Sequence, residues 1–414
     1  MKPGRSLRVV LATVGSRGDV QPMLALAQAL AARGHVPVLA APPDFEHWVR
    51  SLGFEFAPVG RDIQAFLAED AGVMTGNPFK QGAAGARYFS DQIPQQMAQL
   101  KVACEGVDVL LWGGLAIAAP SVAEHLGLPA CAIFYSTCMV PSRLHPPPTI
   151  PWHGLPGWIN RLLWKLHRQV SQRLIGAPLN AARATLQLPA VRIDEHVFES
   201  GRSVFAVDEG VFPADPAWAA GRFPYANFLY FDDPVPLDPQ LDAWLADGEP
   251  PVFIGFGSMS GQATERAGHA IADALAATGR RCLVGAGWAG LGGGPLPPGW
   301  RVVSAAPHEK LFPRVAVVVH HGGAGTTAQA LRAGVPQVIL PLLLDQYHHA
   351  HRLWVAGLAP KPTPMERVTA KRLREAIQAA LLLPPQRRAE VARRLRASDG
   401  RAQIVARMEA LVSP

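Results

Sequence analysis

The chain has 414 residues, of which 49% are hydrophobic and 17% are charged. Because this length exceeds what one hydrophobic core usually serves, we expect two domains, and the composition excludes a disordered chain. The formal net charge of +7 would suit a nucleic acid, an anionic membrane or a phosphorylated ligand, but the basic residues are dispersed and form no nucleic-acid-binding module, so we expect no nucleic-acid partner.

The cysteines and the apolar segments predict a compartment. The four cysteines lack metal-ligand spacing and are too few for a disulfide scaffold, so we expect free thiols. The first apolar run breaks at Gly15, which makes it too short for a signal peptide, and no window approaches the ~20 apolar residues of a membrane span. We therefore expect a soluble, cytoplasmic protein.

The chain opens with the pattern of a βαβ unit. Residues 7–14 predict a strand, Gly15-Ser-Arg-Gly-Asp19 a glycine turn, residues 21–33 a helix and residues 36–41 a second strand. Ligands of open parallel sheets bind beyond the carboxyl ends of the strands, where this turn lies. Asp19 has two interpretations: a helix N-cap, or a cap that also takes part in chemistry.

A proline-rich loop interrupts the strand–helix rhythm after predicted strands at residues 107–112 and 130–135. Residues 138–156 cannot form regular structure, and long loops in compact domains are commonly functional. Met139, His145 and Trp152 of this loop are candidates for the wall of a pocket that takes an apolar ligand. We expect the histidines of the loop to be structural or solvated rather than catalytic.

The next segment, residues 158–175, has the spacing of an amphipathic helix, with apolar residues on one face and Arg161, Lys165 and Arg168 opposite. Three interpretations are open for its apolar face: it packs on the core, forms a wall of the pocket, or lies on lipid.

The second half repeats the architecture of the first. Residues 211–238 are rich in proline and aromatic residues, and we place the domain boundary there. We assign residues 1–225 to an N-terminal domain, 226–246 to a linker, 247–396 to a C-terminal domain and 397–414 to a terminal helix. Residues 285–290 match a dinucleotide-binding pattern, but the glycines and prolines that follow exclude the helix it needs, so we reject NAD binding.

The most informative stretch lies between residues 315 and 352. A β-branched run leads into His320-His321-Gly322-Gly323-Ala-Gly325-Thr326-Thr327, which predicts a buried strand, a glycine turn and the start of a helix. Unpaired N–H groups and the positive end of the helix dipole make such a place a phosphate site. Asp345 and Gln346 follow the next predicted strand.

These phrases carry a resemblance to a known family. His321-Gly-Gly-Ala-Gly-Thr-Thr, Gly334-Val-Pro-Gln and Asp345-Gln346, with Gly255-Phe-Gly-Ser-Met, resemble the donor-binding signature of nucleotide-sugar-dependent glycosyltransferases. The likeness is to the bacterial branch with sterol glucosyltransferases and the glycopeptide and macrolide glycosyltransferases. It implies a GT-B fold: two facing Rossmann-like α/β domains with a cleft between them, and a C-terminal helix that crosses back to the first domain.

The resemblance also implies roles for individual residues. Asp19 would be the general base for the acceptor hydroxyl, His321 would act at the diphosphate, and Asp345 and Gln346 would bind the sugar. The nucleotide diphosphate would be bound by Gly15, Gly257, Ser258, Ala306, His308, His321, Gly322, Gly323, Gly325, Thr326 and Gln329.

This sequence departs from the plant branch of the family at two places. Ser304 or Ala305 stands where that branch stacks a tryptophan on uracil, and Gln329 stands where it binds ribose with a glutamate. The choice between uridine and thymidine nucleotides therefore stays open.

The predicted activity is metal-independent, inverting transfer of a hexose from a UDP- or dTDP-sugar to a hydroxyl of an apolar small molecule or lipid, such as a sterol or macrolide. We expect no resident cofactor and no metal, because the chain has no Asp-x-Asp and the spacing of His348, His349 and His351 does not put all three on one helical face. A nucleotide-sugar epimerase or hydrolase, and a silent helper protein, are the alternatives. Membrane contact, oligomeric state and the identity of sugar and acceptor stay open.

Overall fold

The computed structural model describes residues 5–61, 78–257, 262–286, 296–303 and 306–412. Ser258, Ser304 and Ala305 lie outside these residues, as do positions 287–290 of the dinucleotide-like pattern. The described chain forms two parallel sheets, one in each half, as the sequence predicts.

The first sheet belongs to the N-terminal half. Its strands are β1 (Arg8–Val14), β2 (Val36–Ala41), β3 (Glu55–Pro58), β4 (Val109–Gly114), β5 (Ala130–Phe134), β6 (Ser203–Ala206) and β7 (Tyr225–Ala226). They lie in the order β3-β2-β1-β4-β5-β6-β7. The helices of this half are α1 (Arg17–Ala32), α2 (Glu46–Ser51), α3 (Pro78–Ala103), α4 (Ala119–Leu126), α5 (Gly157–Ser171) and α6 (Ala177–Thr185).

The second sheet repeats the plan with five strands. They are β8 (Val252–Gly255), β9 (Cys282–Gly285), β10 (Trp300–Val303), β11 (Val317–His320) and β12 (Gln337–Ile339), in the order β10-β9-β8-β11-β12. The helices that follow the first domain are α7 (Pro239–Ala246), α8 (Gln262–Ala276), α9 (His308–Leu311), α10 (Ala324–Ala333), α11 (Asp345–Val355), α12 (Ala370–Leu382), α13 (Pro385–Arg396) and α14 (Gly400–Val412).

Both sheets are covered on both faces, which explains their continuous apolar strands. Along β1, Val10 and Ala12 belong to one apolar cluster while Val9 and Leu11 belong to another, because successive side chains point to opposite faces. The strand order reverses between β1 and β4 in the first sheet, and between β8 and β11 in the second. Crevices that bind ligands form at such switch points, at the carboxyl ends of the strands.

The two halves are joined by a continuous apolar cluster. Phe212 and Phe228 of the first half pack in the same cluster as Leu331, Leu353 and Leu395 of the second. An ion pair between Arg394 of α13 and Asp208, at 2.6 Å, adds a polar contact to this interface. The relative position of the two domains is therefore held by packing as well as by the chain connection.

The last helix returns to the first domain, which confirms the predicted crossing. Ile404, Val405 and Met408 of α14 lie in the same apolar cluster as β1 and α1. The chain crosses between the domains twice, and the crossings touch, since Nδ2 of Asn227 donates to the carbonyl oxygens of Leu395 (3.3 Å) and Ser398 (3.4 Å).

Three further expectations meet the structure here. The four cysteines are free, as predicted, and all are buried. Helix α1 begins at Arg17 rather than at residue 21, because Ser16 caps it and Asp19 completes the cap. Within the described residues, none of the helices combines the length and the apolar character that a membrane crossing requires.

The predicted amphipathic helix exists as α5, but its apolar face is not the face that packs. Leu162, Leu166 and Val170 are exposed, whereas Asn160 and Trp164 are buried. Core packing is therefore the wrong interpretation for this apolar stripe.

The start of α14 provides a test of the packing that returns the chain to the first domain. A Cβ added at Gly400 would overlap with the backbone carbonyl of Asn227. We expect Gly400→Ala to lower the free energy of unfolding by roughly 1–3 kcal/mol, as overpacking does, when measured by urea denaturation.

The matched control is Gly157→Ala at the start of α5, where the nearest atoms to an added Cβ are 3.4 Å away. We expect that variant to be as stable as wild type or more stable by about 0.4–1 kcal/mol. Equal stabilities of the two variants would contradict the packing described for α14.

Candidate functional site

The predicted site residues converge on the crevice between the two sheets. Those predicted for the base, the donor and the sugar occupy the segments that follow β1, β8, β10, β11 and β12, all after carboxyl ends of strands. The first and last of these segments belong to different domains, yet the charge of Asp345 is close enough to raise the pKa of Asp19. A hydrogen bond of 2.9 Å between Thr137 and His348 joins the domains at the same place.

The turn after β1 fixes Asp19. Ser16 is the N-cap of α1, and its side chain accepts from the amide of Gly18 at 3.2 Å. Asp19 is the third residue of the helix and returns the bond, since its Oδ2 accepts from the Ser16 amide at 2.8 Å and from the Ser16 hydroxyl at 3.3 Å. The N-cap interpretation of Asp19 is thus wrong in detail, because Asp19 is the reciprocal partner in a capping box.

Asp19 keeps one carboxylate oxygen for other partners. Within the described residues its Oδ1 accepts no hydrogen bond, and it lies beside the backbone of Gly114 at the end of β4. Gly15 has a φ of +150°, and a Cβ there would overlap with Oδ2 of Asp19, so the carboxylate occupies space that a side chain would fill.

The pKa of Asp19 is raised to about 7. Burial is the largest cause, hydrogen bonds from Ser16 oppose it, and the charge of Asp345 adds to it. A carboxylate with a pKa near neutrality is suited to accept a proton in a reaction, because it is partly ionised yet basic enough. Tyr135, which sequence analysis did not single out, donates to the carbonyl of Asp19 at 3.4 Å.

The turn after β11 is held by His320, which sequence analysis assigned only to the strand. Its Nδ1 accepts from the amide of Gly322 at 3.1 Å, and its Nε2 therefore donates to Oε1 of Gln337 at 3.0 Å. The amide of Gly322 is thus committed within the protein and is not an open donor. Gly322 has a φ of +94°, and an added Cβ would lie 2.8 Å from Ile339, so its role is to form the turn.

The imidazole of His321 lies against the backbone of Gly323. A Cβ at Gly323 would approach Nε2 of His321 to 2.5 Å, and one at Gly257 would lie 3.9 Å from its Cε1. Nδ1 of His321 is buried and has no hydrogen-bond partner in the described chain. Burial, with a contribution from His349, lowers the pKa of His321 to about 4, so the imidazole is neutral near pH 7 and carries one N–H.

Helix α10 begins immediately after this imidazole. Gly323 is its N-cap without a side-chain cap, and no acidic residue stands in its first turn. The amides of Ala324, Gly325 and Thr326 have no intrahelical acceptor at this position. A Cβ at Gly325 would meet nothing within 4 Å, so the side-chain position of this residue is open. The arrangement suits an anion such as a phosphate. Gln329, on the next turn, is buried.

The turn after β12 presents Asp345 at the first position of α11. Gln346 uses its side-chain carbonyl to accept from the amides of Leu342 (2.9 Å) and Leu343 (3.0 Å), which leaves its NH₂ group for a ligand. Leu344 has a φ of +45°, a left-handed value that a leucine rarely adopts. The backbone that positions Asp345 is therefore strained.

His349 connects two parts of the predicted site and was missed as a site residue. Its Nδ1 donates to the carbonyl of Gly322 at 2.8 Å, and its Nε2 lies 3.9 Å from Oδ2 of Asp345. The side chain is buried and so holds the β11 turn against the start of α11. The one-turn spacing of Asp345 and His349 on a helix was the pattern that could have indicated this pairing.

The part of the crevice that follows β10, where the sequence predicts nucleotide binding, contains His308 and a cation from the other domain. The ring of His308 stacks on Phe312 at 4.4 Å, just after Ala306. Burial lowers the pKa of His308 to about 4, and Arg17 and His321 add to this, which places both groups near it. Arg17 rests on the ring of Trp48 at 4.4 Å. Arg17 lies in the same Gly15–Asp19 segment as the predicted base, so this cation could have been predicted from the sequence.

The proline-rich loop contributes less of a pocket than predicted. Met139 lines a small cavity of about 40 Å³ together with Pro148 and Trp164. His145 is buried between Trp164, at 6.2 Å between ring centroids, and His348, at 4.7 Å. Trp152 is exposed and does not line this cavity, and its assignment to the acceptor pocket stays a prediction.

The three histidines of α11 point to different partners. His348 contacts Thr137 and His145, His349 binds Gly322, and His351 packs on His153 at 5.0 Å. In the described part of the chain, no group of three or more His, Cys, Asp or Glu side chains is arranged to hold a metal ion.

Comparison with known proteins identifies relatives across the whole chain. Residues 9–138 match the glycosyltransferase family 28 N-terminal domain, and residues 289–411 match the erythromycin biosynthesis protein CIII-like C-terminal domain. Glycosyltransferase GtfE of Amycolatopsis orientalis is 36% identical over 411 residues, covering 96% of this chain and 95% of its own. A sterol 3-beta-glucosyltransferase of Aspergillus clavatus is 31% identical over 86% of this chain, which spans 26% of that longer protein.

Solved structures share the fold. The glycotransferase of kitacinnamycin superposes with a TM-score of 0.75 at 22% identity, covering 99% of this chain and 100% of its own. Glycosyltransferase VinC in complex with dTDP superposes with a TM-score of 0.69 at 22% identity, covering 98% and 99%. These likenesses confirm the predicted GT-B architecture.

The environment of Asp19 makes a prediction about its titration. We expect ¹³C-carboxyl NMR to show an aspartate with a pKa of about 7 that disappears in Asp19→Asn. Asp345→Asn removes a neighbouring negative charge and should lower this pKa, whereas Ser16→Ala removes a hydrogen bond to the ionised form and should raise it. Shifts in the same direction, or no aspartate titrating near neutrality, would contradict the described geometry.

Proposed function

The chain belongs to the GT-B glycosyltransferases of the natural-product and sterol type, and we propose that within this family it is a metal-independent, inverting enzyme. On this proposal it moves a hexose from a UDP- or dTDP-sugar to a hydroxyl of an apolar small molecule or lipid. The observation that carries the proposal is the position of Asp19, a carboxylate with a pKa of about 7, opposite Asp345 across the cleft. Membership of a transferase family sets aside the epimerase, hydrolase and helper alternatives.

The donor's diphosphate binds at the start of α10 in this proposal. The amides of Gly323, Gly325 and Thr326 and the single N–H of His321 are preorganised donors, and Arg17 supplies a positive charge from the facing domain. The negative charge of the diphosphate grows as the bond to the sugar breaks, and its hydrogen bonds to these donors become stronger. The transition state is therefore bound more tightly than the bound donor, which lowers the barrier to transfer. Gly322 contributes through the shape of the turn, since its amide already binds His320.

The nucleotide and the sugar lie on either side of the diphosphate. Ala306, His308 and Gln329 are on the nucleotide side, with Ser258 and Gly257 assigned to the diphosphate from the β8 turn. Asp345 accepts from sugar hydroxyls, and the free NH₂ group of Gln346 donates to one. VinC was crystallised with dTDP, and this supports a thymidine nucleotide as one of the two candidates.

Transfer then proceeds as a single displacement. Oδ1 of Asp19 takes the proton of the acceptor hydroxyl while the acceptor oxygen forms a bond to the anomeric carbon. The bond from that carbon to the phosphate oxygen breaks, and its electron pair leaves with the nucleotide diphosphate. One base, with no acidic residue in the first turn of α10 where the diphosphate is proposed to bind, fits a mechanism that inverts the anomeric centre. The relative named as a sterol 3-beta-glucosyltransferase supports an apolar acceptor.

Donor binding tests the diphosphate assignment. We expect calorimetry to detect binding of UDP-glucose or dTDP-glucose to wild-type protein, and His321→Ala to weaken it by roughly 1.5–3 kcal/mol, the range for a hydrogen bond to a charged group. Asp19→Asn is the matched control, because it changes the facing domain and should leave donor affinity within a factor of about two. Equal affinities of wild type and His321→Ala, or no binding of either nucleotide, would refute the assignment.

Turnover tests the role of the base. We expect Asp19→Asn to reduce kcat by about 10²–10⁴-fold, because general base catalysis is lost. In the wild-type enzyme kcat/KM should rise with pH through about 7, since only the ionised Asp19 accepts a proton and burial raises its pKa to about 7. If kcat/KM of Asp19→Asn, measured on the same acceptor, still rose with pH through about 7, another group would be the base.

A further inference from the structure

Helix α5 presents a row of apolar side chains to solvent. Trp158, Leu162, Leu166 and Val170 recur every fourth residue and are 62%, 59%, 57% and 45% exposed. The opposite face of the helix is buried through Trp164 and Asn160. A contiguous exposed apolar stripe of this kind on a folded domain marks an interaction surface.

The preceding loop is fixed to the buried face of the helix. Nδ2 of Asn160 donates to the carbonyl of Arg143 at 2.8 Å, and Nε1 of Trp164 donates to the carbonyl of His145 at 3.1 Å. These bonds leave the other face of α5 free, and we name its exposed row the α5 patch: Trp158, Leu162, Leu166 and Val170.

The stretch of chain that contains the α5 patch carries charge of a single sign, and the carboxylates that contact it come from outside the stretch, among them Asp194, Glu199 and Asp215. Residues 125–193 contain no aspartate or glutamate. Arg143, Arg161, Lys165 and Arg173 are exposed, and in the described part of the chain none of them forms an ion pair. By contrast, Arg168 and Arg183 of the same stretch are paired with carboxylates outside it. The free cations are those beside the apolar row.

From this combination we infer that the α5 patch docks the protein on an anionic phospholipid bilayer. Leucine and valine side chains enter the acyl boundary, and Trp158, whose ring carries a polar N–H, lies at the headgroup level. Arg143, Arg161, Lys165 and Arg173 bind lipid phosphates, each from the edge of the apolar row.

A second copy of the chain is a poorer occupant of the same surface. A two-fold interface places a patch against itself, so the free cations of one copy would meet those of the other without a carboxylate to neutralise them. The acceptor is also a poorer occupant, because the α5 patch faces solvent, while the cavity with Met139 lies on the buried side of the helix, against Trp164. A bilayer matches both the apolar row and the unpaired charge.

If the protein transfers a hexose to an apolar acceptor as proposed above, docking on a bilayer also indicates which class of acceptor it uses. The proline-rich loop is hydrogen-bonded to α5, lines the cavity beneath the helix through Met139 and packs on His348 of α11 through His145. An apolar acceptor dissolved in the bilayer would therefore reach the protein next to a loop that connects α5 with α11. The inference deepens the proposed function by assigning it a membrane-resident, hydroxylated lipid as acceptor class.

The test is co-sedimentation of the full-length protein with vesicles. The vesicles contain phosphatidylcholine alone or phosphatidylcholine with phosphatidylglycerol, at low and high salt. We expect wild-type protein to bind the anionic vesicles at least about tenfold better than the neutral ones, and salt to weaken this binding.

Two variants separate the apolar and the charged contributions. Trp158→Ser with Leu162→Gln and Leu166→Gln should reduce binding to anionic vesicles at least about tenfold, and Arg161→Gln with Lys165→Gln should reduce it and weaken its salt dependence. The matched control is Arg374→Gln with Leu382→Gln on α12, which removes an exposed cation and an exposed apolar side chain elsewhere and should bind like wild type.

Other outcomes would overturn the inference. Binding that is absent in wild type, or equal in all variants, excludes the α5 patch as a lipid surface. A change from dimer to monomer in the apolar variant, seen by analytical ultracentrifugation without vesicle binding by wild type, assigns the surface to a second copy. Affinity for the nucleotide sugar, measured in the same preparations, should not change, so a failure of docking is distinguishable from a failure of the proposed function.

Discussion

The cleft depends on two glycines that leave room for the side chains above them. The carboxylate of Asp19 occupies the position that a side chain at Gly15 would take, and the imidazole of His321 occupies the corresponding position at Gly323. In each case the functional group lies against backbone, where a single methyl group would collide with it. This constraint brings the proposed base and the proposed diphosphate site to the carboxyl ends of β1 and β11, on facing sides of the crevice between the domains.

A second consequence of this close packing is that burial disfavours the charged forms of three side chains in the cleft. Burial raises the pKa of Asp19 and lowers the pKa of His308 and His321, so the charged form of each is disfavoured. An incoming diphosphate therefore supplies the largest charge in the site. Neutral imidazoles and backbone amides can bind it without first giving up ion pairs with the protein, and Arg17 adds the attraction of the facing domain.

The fold and much of the candidate site were predictable because they rest on local patterns. The glycine turns after β1 and β11 follow directly from β-branched runs that end in glycine, and β2 has the predicted bounds. Details that depend on distant residues were not predictable. The role of His320 requires Gln337 on the neighbouring strand, and the commitment of the Gln346 carbonyl depends on the local conformation of residues 342–343. The orientation of α5 follows from the bond between Trp164 and His145, which the spacing of apolar residues cannot show.

The double crossing of the chain near Asn227 restricts how the cleft can open. Two domains that are joined by a single connecting segment can rotate relative to each other about any axis. Here two segments pass side by side and are hydrogen-bonded to each other. We therefore expect the domains to separate by a hinge rotation about these paired segments. The rim of the cleft farthest from Asn227 is then displaced most, and the crossing itself is displaced least.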